Sequence, residues 1–479
     1  MVNAADASSL RQASHGGPWH GARASGFRVT LALALALAAT LMAARLLLYL
    51  ALQLPAPVGD GVLFASVAQY HCGTGRFETP IFPLDPTGAY RYIWHGIGWP
   101  WLLSLLNPTC SIEGSFVAWS LVMTGTAALA WWALARTHGR LVCAAFALVV
   151  FALQAKLMFR PEVLAIALVV AAEALRARER LWSWAWLLSL LAWVQPTVFL
   201  IAAAHAALTL DRAGWRTLWR GAIPGLGMAL ALHGAIAALY PFPLADLLRG
   251  LSLQGQSFAA RDDGSLFIYY LRSDFFPALG VAMLAAFALA AWRRPALLLL
   301  LPLIVYFGLR VPPAFYNLVP LFVVLLMGLL RSEGAPARNS AHRHALTVLA
   351  LTAVLGALGL AQSVARDGLG AWRQHASPGE ALASLQAEQA QTQRVCGVPP
   401  WFTLLLPADA FEPSHRPLLR TCPAHGGVDL VTATALANHT HATGCQHHAV
   451  NALPPWLERT AGRLFRSSTG YGMAACPAG

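Results

Sequence analysis

From Thr30 to Leu54 the chain carries a single charged side chain, Arg45, in an otherwise apolar run. At about 1.5 Å per residue such a stretch makes a helix roughly 37 Å long, enough to cross about 30 Å of hydrocarbon. Inside a bilayer no water is available to the backbone, so each crossing must satisfy its own N–H and C=O groups as a helix. Leu346 to Leu360 offers a second run of the same kind. Charged residues make up 11% of the 479-residue chain and hydrophobic ones 57%, against roughly 25% charged in soluble domains. The expected fold class is an all-α polytopic membrane protein.

The formal charge of +12 is carried almost wholly by arginine, Lys156 being the one lysine. These arginines are dispersed among short connections and do not gather on one basic face, which argues against a nucleic-acid partner. Arg11, Arg23 and Arg28 precede or edge the first span, which is too long for the apolar region of a cleaved signal peptide, so an inside N-terminus follows. Alternating crossings then place Arg136 to Arg140, Arg176 to Arg180, Arg212 to Arg220, Arg293-Arg294, Arg331 and Arg343 on that same inner side. About eleven spans close this bookkeeping. One long run, Leu181 to Leu210, is interrupted by Gln195-Pro196-Thr197, where a proline withdraws a backbone donor and forces a break.

Three regions result. Residues 1–26 form a cytoplasmic tail, 27–363 the membrane domain, and 364–479 an extracytoplasmic domain. Within the second, residues 55–113 make a large first external loop, with Trp99 to Leu106 as an interfacial helix; a loop of that size is usually functional. In the third, Cys396, Cys422, Cys445 and Cys476 fit two disulfides with three possible connectivities. Cys72 and Cys110 in the first loop fit another.

The candidate chemistry lies on the outer side. Asp60, in Gly59-Asp60-Gly61 directly after the first span, is either the cap of the helix that follows or a general base where lipid and water meet. Cations that suit a phosphate are Lys156, Arg160, Arg249, Arg261, Arg272 and Arg310; snorkelling to headgroups accounts for any one of them equally. Arg160-Pro161-Glu162 opens a span, with Glu162 favoured by the helix N-terminus; the triplet is either part of a substrate site or a span cap held by an ion pair. Gln195 sits at membrane depth, where a polar side chain faces a cavity or another helix. No cofactor is required and no metal site stands out. Asp262-Asp263 is the pair best suited to a divalent cation, although a solvated turn is the simpler account.

Asp60, the segment Tyr92-Ile93-Trp94-His95-Gly96-Ile97-Gly98-Trp99-Pro100, Arg160-Pro161-Glu162, Gln195-Pro196-Thr197 and Arg310 followed by Pro312-Pro313-Ala314-Phe315-Tyr316 occur in an order and sidedness that resembles the GT-C superfamily. That group includes the protein O-mannosyltransferases and the lipid A aminoarabinose transferases. The resemblance covers residues 27–330 and leaves the tail unaddressed. It departs at Gln195, where many members carry Lys, and at His95-Gly96, where a His-Pro or Pro-Pro pair is usual.

The resemblance implies a transferase that takes a sugar from a polyprenyl-phosphate donor and passes it to a lipid, glycan or envelope-polymer acceptor on the external face. Asp60 is then the catalytic base of an inverting reaction. Arg160, Arg310, Lys156, Arg272 and Arg261 serve the donor phosphate, and Glu162, His95, Tyr92 and Gln195 position substrate. Such a protein is multi-pass in the inner membrane, with a cytoplasmic N-terminus and a periplasmic C-terminal domain. The alternatives are a flippase for a lipid-linked sugar and a scaffold acting through the tail. The flippase predicts an internal repeat and charges deep in the spans; no self-similarity is apparent, and apart from Arg45 the ionisable groups cluster at or near span ends.

Overall fold

A computed structural model describes residues 60–78, 92, 95–210, 212–240, 276–306, 316–331 and 340–373, with short pieces within 36–47 and 244–252, Trp456 and four strands in the tail. Helix α1 (Asp60–Thr74) and the short α2 (Gly98–Leu105) lie in the first loop; α3 (Ile112–Leu134), α4 (Arg140–Leu157) and α5 (Glu162–Arg176) follow closely. Next come α6 (Leu181–Ser189), α7 (Leu191–Val194), α8 (Pro196–Thr209), α9 (Arg212–Leu239) and α10 (Phe276–Arg293). A 310 turn (Pro295–Leu300) leads into α11 (Leu301–Val305), and α12 (Val319–Arg331) and α13 (Ser340–Arg373) complete the helices.

Among the described residues four helices are long and apolar enough to cross a membrane: α3, α4, most of α9, and 343–369 of α13. Shorter apolar helices fill the spaces between them. The core is centred on α5, whose Val163, Ala165, Ile166, Val169, Val170, Ala172 and Ala174 are all buried. Helices α3, α4, α6 and α12 pack around it. Between its two ends only one stripe of α5, Leu164, Ala167, Leu168 and Ala171, is even partly exposed, and it is apolar; the helix confines its charges to those ends, at Glu162 and at Glu173 and Arg176.

Local chemistry explains the less regular parts. The run from Leu181 breaks where proline requires it: Gln195 leaves helical geometry at φ −151°, and Pro196 opens α8 as its first residue, the position where a missing N–H costs least. Gly221 and Gly225 bring α9 onto the backbone of α6, since a Cβ at either would lie 2.3 Å from the carbonyl oxygen of Trp182 or 2.6 Å from that of Trp186. Small residues one turn apart are the usual device for close approach in lipid.

Two boundaries differ from expectation. Residues 211–220, read as an inner loop, instead begin α9 at Arg212, because arginine is a good helix former and the arginines simply line the helix's first turns. The last helix runs unbroken to Arg373, past the boundary expected at residue 363. Its 34 residues reach about 51 Å, more than one bilayer thickness.

Beyond α13 the described part of the tail is mainly strand. Val395–Cys396 (β1), Gly427–Thr432 (β2), Gln446–His448 (β3) and Tyr471–Cys476 (β4) form a mixed sheet in the order β1-β2-β4-β3. Cys396 pairs in register with Asp429, whereas Cys476 pairs with Gly427 on the other side of β2. Two strand spacings separate β1 from β4, roughly 9–10 Å, beyond the reach of a disulfide. The register therefore removes the Cys396–Cys476 pairing from the three connectivities; Cys422 and Cys445 lie outside the described residues.

In the first loop Cys72 is joined to Cys110, with Cα atoms 5.3 Å apart. The bridge ties the end of α1 to the chain just after α2. Next to it His71 is buried between Phe77 (ring centroids 4.0 Å, stacked) and Tyr240 (4.5 Å, edge-on). Ser104 Oγ donates to the Trp101 carbonyl at 2.7 Å, so His71 Nδ1–H is the donor in the 2.9 Å contact with Ser104. His71 Nε2 is buried with no hydrogen-bond partner among the described residues, which suits only the neutral ring.

Burial accordingly lowers the His71 pKa from 6.5 to about 4. An unfolded chain takes up this proton at a higher pH than the folded one, so folding stability falls with pH between about 6.5 and 4. We expect the thermal stability of the detergent-solubilised protein to drop across that window. His71→Phe should flatten the slope there, and an unchanged slope would show that the ring already carries its proton in the folded state.

Candidate functional site

At the N-terminal end of α5 the chain turns sharply, with Met158 at φ 46°, and delivers Arg160-Pro161-Glu162 into the bundle. Glu162 is fully buried and Arg160 nearly so. The guanidinium grips the carboxylate through two bonds, Nε to Oε2 and Nη2 to Oε1, each 3.2 Å. Such a bidentate pair is the geometry for which arginine is better suited than lysine. The other face of the guanidinium lies over the Tyr316 ring at 4.1 Å, with the Phe64 ring at 6.0 Å. Placement at the first residue of α5 adds the favourable N-terminal field of the helix.

Gln195 is the hub of this cluster. The helix break frees its side chain, which donates from Nε2 to Glu162 Oε1 and to Asn317 Oδ1, both at 3.2 Å. Its Oε1 can only accept, so the 3.1 Å contact with His95 Nδ1 is donated by the imidazole. His95 also packs on Phe64 (5.0 Å), and Phe64 on the edge of Tyr92 (6.2 Å). One network thus joins the first loop, the start of α5, the α7–α8 break and the residues just before α12.

The structure brings together Tyr92, His95, Arg160, Glu162 and Gln195, five residues singled out from sequence. Of the two readings of Arg160-Pro161-Glu162, the ion pair is present: the Arg160 fork is directed at Glu162. Lys156 stands in the last turn of α4 and is partly exposed. Arg261, Arg272 and Arg310 lie outside the described residues, as do Asp262 and Asp263. Among the described residues no group of three His, Cys, Asp or Glu is placed to hold a metal ion.

Asp60 is the first residue of α1, and only its backbone is described. Phe64 follows at i+4, which on a helix is the neighbouring position on the same face. The backbone thereby sets Asp60 one turn from the ring that touches His95, Tyr92 and Arg160. Sequence reasoning gave no role to Phe64 or Asn317, nor to Tyr316, which it met only as the end of a motif. Asn317 carried a readable signal, a lone amide entering an apolar span next to an aromatic-rich turn, where a polar side chain seeks a partner.

The cluster is nearly closed to solvent: Tyr92, Glu162 and Gln195 are at most 1% exposed and Asn317 is 7% exposed. Groups so buried hold elements in place and set the electrostatics of what lies above them. Arg160 and Glu162 carry opposite charges that cancel within the network.

No family model matches the sequence, and no curated protein matches it. Among solved structures the chain is similar to the crystal structure of ArnT from Cupriavidus metallidurans in the apo state. The identity is 13% and the TM-score 0.46, with 95% of this chain and 98% of that chain covered. A likeness at that score carries nothing about chemistry, which rests on the residues themselves.

Proposed function

We propose that the chain is an integral membrane glycosyltransferase that moves a sugar from a polyprenyl-phosphate donor to a lipid, glycan or envelope-polymer acceptor on the external face. Asp60 acts as general base. Its carboxylate takes the proton of an acceptor hydroxyl as that oxygen attacks the anomeric carbon. The bond from that carbon to the phosphate oxygen breaks, the configuration inverts, and polyprenyl phosphate departs. No electrons are exchanged, so the step needs no redox cofactor.

The observation that carries the reading is the placement of Asp60 at the start of α1, one turn from Phe64, over a buried network built from the residues of the motif resemblance. A base must stand within hydrogen-bond reach of its proton, and a fixed helix start beside a rigid cluster gives the needed constancy of position. The charge of the departing phosphate calls for cations. With the Arg160 fork engaged by Glu162, that task falls first to Lys156, Arg310, Arg272 and Arg261. His95, Tyr92 and Gln195 position the substrate through the loop that they anchor.

The test is Asp60→Asn against wild type, matched for membrane level and scored for the surface glycan or glycolipid that disappears on deletion of the gene. Loss of at least about 100-fold in transfer is expected for removal of a general base. Full restoration of the product would reduce Asp60 to the start of a helix and return the chain to a non-catalytic role.

A further inference from the structure

The opposite end of α5 holds a second feature that the proposed reaction does not use. Glu173, Arg176, His205, Arg293, Arg294 and Arg331 line a cavity of about 520 Å3. Its remaining wall is mostly apolar and includes Ala290, Leu297, Val324, Leu325 and Leu329. Under the topology read from the arginines, this is the inner side of the membrane.

Four arginines and one carboxylate line the cavity, and that carboxylate is already engaged. Glu173 pairs with Arg176 at 3.6 Å and Arg331 at 3.5 Å, and accepts from Trp184 Nε1 at 3.0 Å. Arg331 also donates through Nη1 to the Glu173 carbonyl. Yet its Nε and Nη2 are buried with no hydrogen-bond partner among the described residues. A buried donor without an acceptor is costly, and more so on a charged group, so among the described residues Arg331 has two donors left to satisfy.

We propose that this cavity binds a phosphate ester, with the phosphate oxygens meeting Arg331 and its neighbours Arg176, Arg293 and Arg294. A phosphate supplies several acceptors in the planar geometry that a guanidinium fork matches. The net excess of cations favours an anion over a neutral ligand. The volume falls in the range of small-molecule sites and equals about seventeen waters at roughly 30 Å3 each. The ligand is therefore larger than bare phosphate and has an apolar part to lie along Leu297, Val324 and Leu325. Both an inner-leaflet phospholipid and a soluble phosphate ester have this chemistry. The site is independent of the outer cluster and stands whether or not the glycosyl-transfer reading holds.

The experiment uses the full chain in dodecyl maltoside, with binding read by native mass spectrometry and thermal shift. The probes are dioctanoyl phosphatidic acid, dioctanoylglycerol as its phosphate-free match, and inorganic pyrophosphate. One saturable site for the phosphatidic acid and none for dioctanoylglycerol is the expected result. Competition by pyrophosphate at similar concentration identifies the soluble-ester source; no competition identifies the lipid source. Arg331→Gln should weaken binding at least about tenfold, as loss of a charge-assisted contact does. Arg294→Gln, exposed at the rim, gives a second reading should Arg331→Gln lower the folded yield. Arg140→Gln, an exposed inner arginine outside the cavity, should leave binding unchanged. Equal weakening by Arg140→Gln, or no saturable site for either phosphate probe, overturns the proposal.

Discussion

Arg160→Gln should destabilise the protein by about 3–5 kcal/mol, the usual cost of removing one partner from a buried ion pair. Glu162 is fully buried and among the described residues would keep the 3.2 Å bond from Gln195 Nε2, with the helix N-terminus, to offset its charge. The penalty comes from the stranded carboxylate and not from the worth of the pair, because desolvation offsets most of the attraction when both ions are present. That distinction makes a sharp expectation. Arg160→Gln/Glu162→Gln should recover most of the stability lost by Arg160→Gln, since no charge is then left uncompensated. Melting curves of the purified variants, at matched detergent and salt, read the difference directly. If the double variant is as unstable as the single, Arg160 matters through its stacking on Tyr316 and the ion pair does not govern this end of the bundle.

How much of this was legible beforehand follows from whether the signal is local. The break at Gln195-Pro196 could be read because proline removes a donor wherever it stands, and Arg160-Pro161-Glu162 showed opposite charges two residues apart beside a helix start. The partners of these groups were not legible. Gln195 meets His95 across a sequence separation of 100 residues and Asn317 across 122, and no periodicity points from one to the other. The start of α9 at Arg212 was not legible, because arginines between two apolar runs suit a short connection and the first turns of a helix equally. Glu173 attracted no notice, being a single acid near the inner end of an apolar span. Only packing shows that Arg331, from a distant span, arrives beside it with two donors unmet.

Gly96→Ala should cost about 3 kcal/mol, toward the upper end for overpacking, and should take most of the activity with it. The added Cβ would stand 2.0 Å from the carbonyl oxygen of Trp193 and 3.1 Å from that of Val194. Both atoms are backbone, in the four-residue α7 that ends at the break, so no side-chain rotation relieves the overlap and one segment must move bodily. His95 is the next residue, and its 3.1 Å bond to Gln195 cannot survive a shift of an ångström. Displacement of a positioning group by that distance is enough to slow a reaction roughly 100-fold. Gly96 is thus the contact that lets the first loop, with Asp60 at its start, rest on the helix break that carries Gln195. It also explains why this chain has no proline at that position: a proline ring begins with the same Cβ. Gly125→Ala is the matched control, since a Cβ there meets nothing within 4 Å and a helical alanine should if anything stabilise. Measured side by side for melting and for glycan transfer, Gly96→Ala should lose both while Gly125→Ala loses neither. If the two behave alike, the first loop does not lean on the break, and the site must be assembled some other way.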